Sequence, residues 1–145
     1  MIHHGGGSLG WAGGAAVGAK LACPERTVVC LTGDGSFLFG VPSSAQWVAR
    51  RYEAPALTII YDNRGWAAPK FSALLVHPEG AAARADDFHV SVEPEADLPG
   101  VARAAGGAYG VTVSDPGELP RVLKDALAVV HGGRSAVVSV QPPPV

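Results

Sequence analysis

The chain has 145 residues, 48% of them apolar and 17% charged, enough for one globular domain with a core of its own. Lys and Arg number 11 against 13 Asp and Glu, and the resulting net charge of −2 offers no basic field to nucleic acid or anionic lipid. The longest apolar runs, such as Ala54 to Tyr61, fall far short of the roughly 18 to 20 residues of a membrane span, and no basic-then-apolar leader opens the chain, so a cytoplasmic protein is expected.

From Leu9 to Ala22 small and apolar residues predict a helix packed closely on both sides, closed by Pro24. Thr27 to Thr32 reads as a strand whose unbroken run Val28, Val29, Cys30, Leu31 suits a parallel strand covered on both faces. Gly33-Asp34-Gly35-Ser36 stops it. A helix follows over Ser44 to Tyr52, with Ala45, Val48 and Ala49 as its apolar stripe and Ser43 or Ser44 as N-cap. The next strand, Leu57 to Tyr61, ends in Asp62-Asn63-Arg64-Gly65.

Beyond Trp66 the pattern weakens, with a short helix over Ala67 to Leu75 and then an irregular acidic stretch through Asp86, Asp87, Glu93, Glu95 and Asp97. A helix at Leu98 to Ala105, a strand at Tyr109 to Val113, a helix at Pro116 to His131 and a strand at Ala136 to Val140 complete the chain. Asp115 is read as the N-cap of the last helix, Pro116 as its first residue and Gly132 as its C-terminal cap. Alternating strands and helices predict an α/β fold, a mostly parallel sheet flanked by helices. Cys23 and Cys30 are too few for a disulfide scaffold and wrongly spaced for a zinc knuckle, so they are read as buried thiols.

Ligands of such sheets sit beyond the carboxyl ends of the strands. Two polar, glycine-bearing turns fall there, and Asp34 and Asn63 each bring a hard oxygen to that edge. A carboxylate, an amide oxygen and a nearby carbonyl, with Gly65 admitting close backbone, suit Mg²⁺ or Ca²⁺, and Mg²⁺ commonly shares its site with phosphate. The amides of Gly33 to Ser36, where a helix begins, are of the kind that bind phosphate. A rival pattern is Gly5-Gly6-Gly7-Ser8-Leu9-Gly10, which satisfies G-x-G-x-x-G and would make the chain a Rossmann-type dinucleotide binder. That reading requires a strand directly before Gly5 and leaves the second turn without a role.

Gly33-Asp34-Gly35-Ser36, followed 27 positions later by Asn63, resembles the cofactor motif of thiamine diphosphate enzymes. The likeness extends over Gly7-Ser8-Leu9-Gly10-Trp11, Ala15-Ala16-Val17-Gly18-Ala19, Phe37 and Ile59-Ile60-Tyr61-Asp62-Asn63. It is similar to the carboxyl-terminal, diphosphate-binding domain of the acetolactate synthase, benzoylformate decarboxylase and pyruvate decarboxylase group. The resemblance implies thiamine diphosphate and Mg²⁺ as cofactors, with Asp34, Asn63 and the carbonyl of Gly65 as metal ligands. It implies Gly7, Ser8, Leu9, Gly33, Asp34, Gly35, Ser36, Asn63 and Gly65 as the cofactor-binding set. Within that set Gly35 and Ser36 hold the diphosphate, Leu9 wedges the cofactor into its bent form and the Gly7 carbonyl meets the aminopyrimidine.

Two departures accompany the resemblance: Asp62 stands where the family usually has an asparagine, and the linker is longer, with an insertion around Gly40 to Ser44. The whole chain, 1–145, is expected to be one diphosphate-binding domain that begins inside the usual domain and holds no pyrimidine-binding domain. Catalysis on a small 2-oxo acid then requires a glutamate from a partner polypeptide or a self-associated copy, and no residue of this chain is assigned as catalytic. The alternative is a non-catalytic fragment or interaction module of the same fold. His3, His4, His77 and His89 are read as solvated. Arg64 and Lys70 are read as partners for diphosphate or carboxylate, or as surface charges. Trp11, Trp47 and Trp66 are read as packing or interface residues.

Overall fold

The computed structural model describes residues 1–3, 5 and 8–142, so His4, Gly6 and Gly7 lie outside the described residues. The chain forms two compact units, Met1–Asn63 with Asp97–Val145, and Arg64–Ala96.

In the first unit, helix α1 (Trp11–Ala22) leads to strand β1 (Val29–Gly33), short helix α2 (Asp34–Phe39), helix α3 (Pro42–Arg51) and strand β2 (Leu57–Tyr61). In the second unit, α4 spans Ala67–Val76 and α5 Ala81–Ala85. The first unit resumes with α6 (Leu98–Gly106), β3 (Tyr109–Val113), α7 (Leu119–His131) and β4 (Ala136–Val140). The four strands form one parallel sheet in the order β1-β2-β4-β3, as the alternation of elements predicts.

The two faces of the sheet are filled differently. Val122, Ala126 and Val130 of α7 pack on Leu57, Val113, Ala136 and Val138, forming one core. The other face carries α1, α3 and α6, with Ala16 against Cys30 and Ala56. Because β1 is an edge strand and α7 reaches only its neighbours, Val29 and Leu31 are exposed, Leu31 at 73%. This corrects the expectation that β1 is covered on both faces: an unbroken apolar run reports strand propensity, and sheet order decides what covers it. Helix α1 is likewise open on one side, with Trp11 and Leu21 exposed.

Caps account for the other shifts in boundary. Neither Ser43 nor Ser44 caps α3; Val41 does so in the left-handed region, φ 48°, with Pro42 as the first helical residue. Asp97, at the end of the acidic stretch, is the N-cap of α6 and accepts the Gly100 N–H at 2.7 Å. Asp115 closes an Asx turn on the Gly117 N–H at 2.8 Å instead of capping α7, which starts after Glu118. Gly132 is the C-terminal cap of α7, and Gly133 takes the left-handed conformation after it.

The second unit gives the weakly patterned stretch its own order. An antiparallel bridge joins Gly65 and Ser91, with Trp66 N–H donating to Val90 O at 2.8 Å and Val92 N–H to Arg64 O at 3.0 Å. Lys70 lies over the Phe88 ring at 5.0 Å and 4.0 Å from Asp86. No helix among the described residues is long and apolar enough to cross a membrane.

Candidate functional site at the carboxyl edge of the sheet

β1 and β2 run parallel in the register Val29 with Leu57 through Gly33 with Tyr61. Both strands therefore stop at the same level, and the residues that follow, Asp34 on one and Asp62-Asn63 on the other, leave the same sheet edge. The strand run up to Gly33 and the polar turn after Tyr61 dictate this locally. The parallel register brings both turns to one edge.

Asp34 is 2% exposed at the start of α2, and Gly35 beside it is buried. The strand stops sharply at Gly33 and a helix begins at Asp34, as expected for Gly33 to Ser36, so the first amides of α2 fall at Asp34 to Ser36, where a helix has no internal acceptor for them. Gly33 is extended, and a Cβ built on it meets nothing nearer than the Tyr61 carbonyl at 3.9 Å. Neither backbone strain nor internal packing requires glycine there, so its missing side chain leaves room outside the chain, beside Asp34.

The loop before α1 is fastened to α2. Gly10 N–H donates to Ser36 Oγ at 3.1 Å. Gly10 has φ 80°, and a Cβ on it would fall 2.8 Å from the Gly40 Cα, so both its conformation and its contact exclude a side chain. Ser8 and Leu9, just ahead of this contact, are exposed, Leu9 at 40%.

On β2, Asp62 is buried while Asn63 is exposed. Ser139 Oγ, itself fully buried, donates to Asp62 Oδ2 at 2.9 Å, Gln141 Nε2 approaches the same oxygen at 3.5 Å, and Asp62 N–H donates to Val140 O at 2.9 Å. The end of β2 is thus tied to the end of β4. The sequence analysis missed Ser139 and Gln141. The signal available was a serine inside the apolar run Ala136 to Val140, a polar group that burial obliges to find a partner.

Of the other candidates, Gly65 belongs to the second unit, and Gly7 lies outside the described residues. Arg64 adopts φ 58°. Lys70 is engaged by Asp86 and Phe88, His77 is exposed, and His89 is exposed with its Nδ1 3.2 Å from Asp87. His3 Nδ1 accepts the Gly5 N–H at 3.1 Å. Trp11 and Trp47 are exposed, whereas the Trp66 Nε1 is buried with no partner among the described residues. No strand occurs among the described residues before Gly5, so the context needed for a dinucleotide fingerprint is not present there.

The family described as "Thiamine pyrophosphate enzyme, C-terminal TPP binding domain" matches residues 1–140. The chain belongs to this family. It is 34% identical over 140 residues to the acetolactate synthase isozyme 3 large subunit of Escherichia coli, covering 96% of this chain and 23% of that protein. It is 36% identical over 127 residues to benzoylformate decarboxylase of Pseudomonas aeruginosa, covering 84% and 21%. Among solved structures, a thiamine diphosphate-dependent 4-hydroxybenzoylformate decarboxylase of Rhodococcus jostii superposes with a TM-score of 0.73 at 32% identity, over 92% of this chain and 23% of that one. The chain thus spans less than a quarter of the length of these relatives. The expected α/β fold and the expected family are both borne out, and this is a thiamine pyrophosphate-binding domain.

Proposed function

We propose that this thiamine pyrophosphate-binding domain supplies the metal and diphosphate half of an acetolactate synthase-like 2-oxo acid decarboxylase or carboligase site. The observation that carries the reading is the register of β1 and β2, which delivers a buried carboxylate, Asp34, and an exposed amide, Asn63, to one sheet edge.

The donor set fits the group. Asp34 and the amide oxygen of Asn63, with the carbonyl of Gly65 two residues further along the chain, are hard, weakly polarisable oxygens of the kind Mg²⁺ selects. Gly33, Gly35 and Ser36 fit a diphosphate, because the space left at Gly33 and the amides at the start of α2 adjoin the carboxylate. Ser8 and Leu9, with Gly7, would meet the aminopyrimidine end, and the Gly10 to Ser36 hydrogen bond fastens the residue after Leu9 to α2. When bound, thiamine diphosphate supplies the electron sink that carbon–carbon cleavage and ligation need.

This chain's residues bind and orient; the proton-transfer glutamate comes from a pyrimidine-domain-bearing polypeptide or another copy. In this reading the whole chain is one diphosphate-binding domain of a cytoplasmic enzyme, without turnover on its own. The test is ³¹P NMR of thiamine diphosphate with the chain. Shifted or broadened diphosphate signals that require both chain and Mg²⁺ are expected, and signals indifferent to the chain overturn the reading. A non-catalytic module of the same fold would pass this test and fail to decarboxylate any 2-oxo acid when a pyrimidine-domain partner is added.

A further inference from the structure

Gln46 lies on the inner face of α3, 8% exposed, and its Oε1 has no hydrogen-bond partner among the described residues. It lines a small cavity between α1, α2, α3 and the first two strands, together with Gly10, Cys30, Thr32, Ser36 and Thr58. Buried amide oxygens are almost always partnered, because desolvation without a replacement bond is costly. The cavity offers the missing partner a place: its volume of about 20 Å³ exceeds what one water molecule requires, and the hydroxyls of Thr32, Ser36 and Thr58 stand in a wall that is otherwise largely apolar.

We propose that this cavity is a binding site for one ordered water molecule, which donates one hydrogen to Gln46 Oε1 and the other to the Thr58 hydroxyl oxygen in the wall. The hydroxyls can accept it. Ser36 Oγ already takes the Gly10 N–H, Thr32 Oγ1 donates to Gly33 O at 3.3 Å, and the Thr58 side chain is hydrogen-bonded to the Cys30 thiol. A hydroxyl oxygen has two lone pairs, so each retains at least one. The water joins α3 to β2, the strand that ends at Asp62 and Asn63, and so forms part of the support beneath the candidate site. This inference stands whether or not the chain binds thiamine diphosphate.

The test is water-to-protein cross-relaxation by NMR on the isotopically labelled chain. Cross-peaks from a long-lived water to the Gln46 side-chain amide and to the Thr58 backbone amide are expected. Gln46→Met keeps the side-chain length and removes the acceptor, and should abolish the Thr58 cross-peak while far-UV circular dichroism is unchanged. Should Gln46→Met fail to fold, Thr58→Val provides the reciprocal loss at Gln46. A native chain without these cross-peaks, or a Thr58 cross-peak that persists in folded Gln46→Met, overturns the proposal.

Discussion

Ser139 Oγ donates a hydrogen bond to Asp62 Oδ2 at 2.9 Å across 77 residues of sequence, joining the ends of β4 and β2 at a fully buried point. Asn63 follows directly, so the proposed metal ligand projects from a strand end whose last polar group is held on both sides by β4. Ser139→Ala removes the closer of the two side-chain donors and leaves a buried carboxylate short of a partner. A loss of about 2 kcal/mol in unfolding free energy is expected, the scale of a hydrogen bond to a charged group. Urea denaturation of the two chains measures it, and an unchanged midpoint would show that the bond adds nothing.

Val41 holds a β-branched side chain at φ 48° while exposed to solvent. The left-handed region costs an L-residue roughly 1 to 2 kcal/mol, and glycine avoids that cost while adding backbone entropy to the unfolded chain. Val41→Gly should therefore raise stability by about 0.5 to 1 kcal/mol, seen as a higher urea midpoint with the same slope. A lower midpoint would mean that the exposed valine makes a contact worth more than the strain.

Burial pushes the Cys30 thiol above its ordinary value of 9.0, opposed in part by the Thr58 hydrogen bond. Below that value folded and unfolded chains both carry the neutral thiol, and the contribution of Cys30 to stability is constant. As pH rises from 9.0 toward the raised folded value, the unfolded chain ionises first and stability falls. Cys30→Ser or Cys30→Ala should flatten that alkaline decline. In the native protein at pH 8, a thiol reagent should modify the partly buried Cys23 well before Cys30.

Leu9 is 40% exposed and contributes little to the core. Leu9→Ala should change unfolding free energy by no more than about 0.5 kcal/mol, as for ordinary surface positions. If Leu9 packs against the cofactor as proposed, the same change should weaken thiamine diphosphate binding about tenfold or more, the equivalent of 1.4 kcal/mol of lost apolar contact. Equal affinity in the two chains would remove Leu9 from the binding set.

Much of the fold was legible because strands in a parallel sheet are short apolar runs. Tyr109–Val113 and Ala136–Val140 match their expected ranges, and Leu57–Tyr61 does as well. Boundaries failed where a side chain was free to choose between local partners: Asp115 closes a turn instead of a helix, and Asp97 caps α6 from within a run that reads as solvated charge. The start of α2 was legible but its extent was not, because six residues give no periodicity, and α5, shorter still, went unseen. The exposure of Val29 and Leu31 follows from sheet order, which no single strand encodes. The candidate site was legible at Asp34 and Asn63 because each ends a strand. Ser139, Gln141 and Gln46 were hidden because their roles arise only when distant elements pack together.

Calorimetric titration of the chain with thiamine diphosphate, with Mg²⁺, with EDTA, and in Asp34→Ala, bears most directly on the proposed site. Binding heat that requires Mg²⁺ and disappears in a folded Asp34→Ala chain is expected, with none on addition of NAD. Absence of heat with thiamine diphosphate, or heat that survives both EDTA and Asp34→Ala, would contradict a metal and diphosphate site at the ends of β1 and β2.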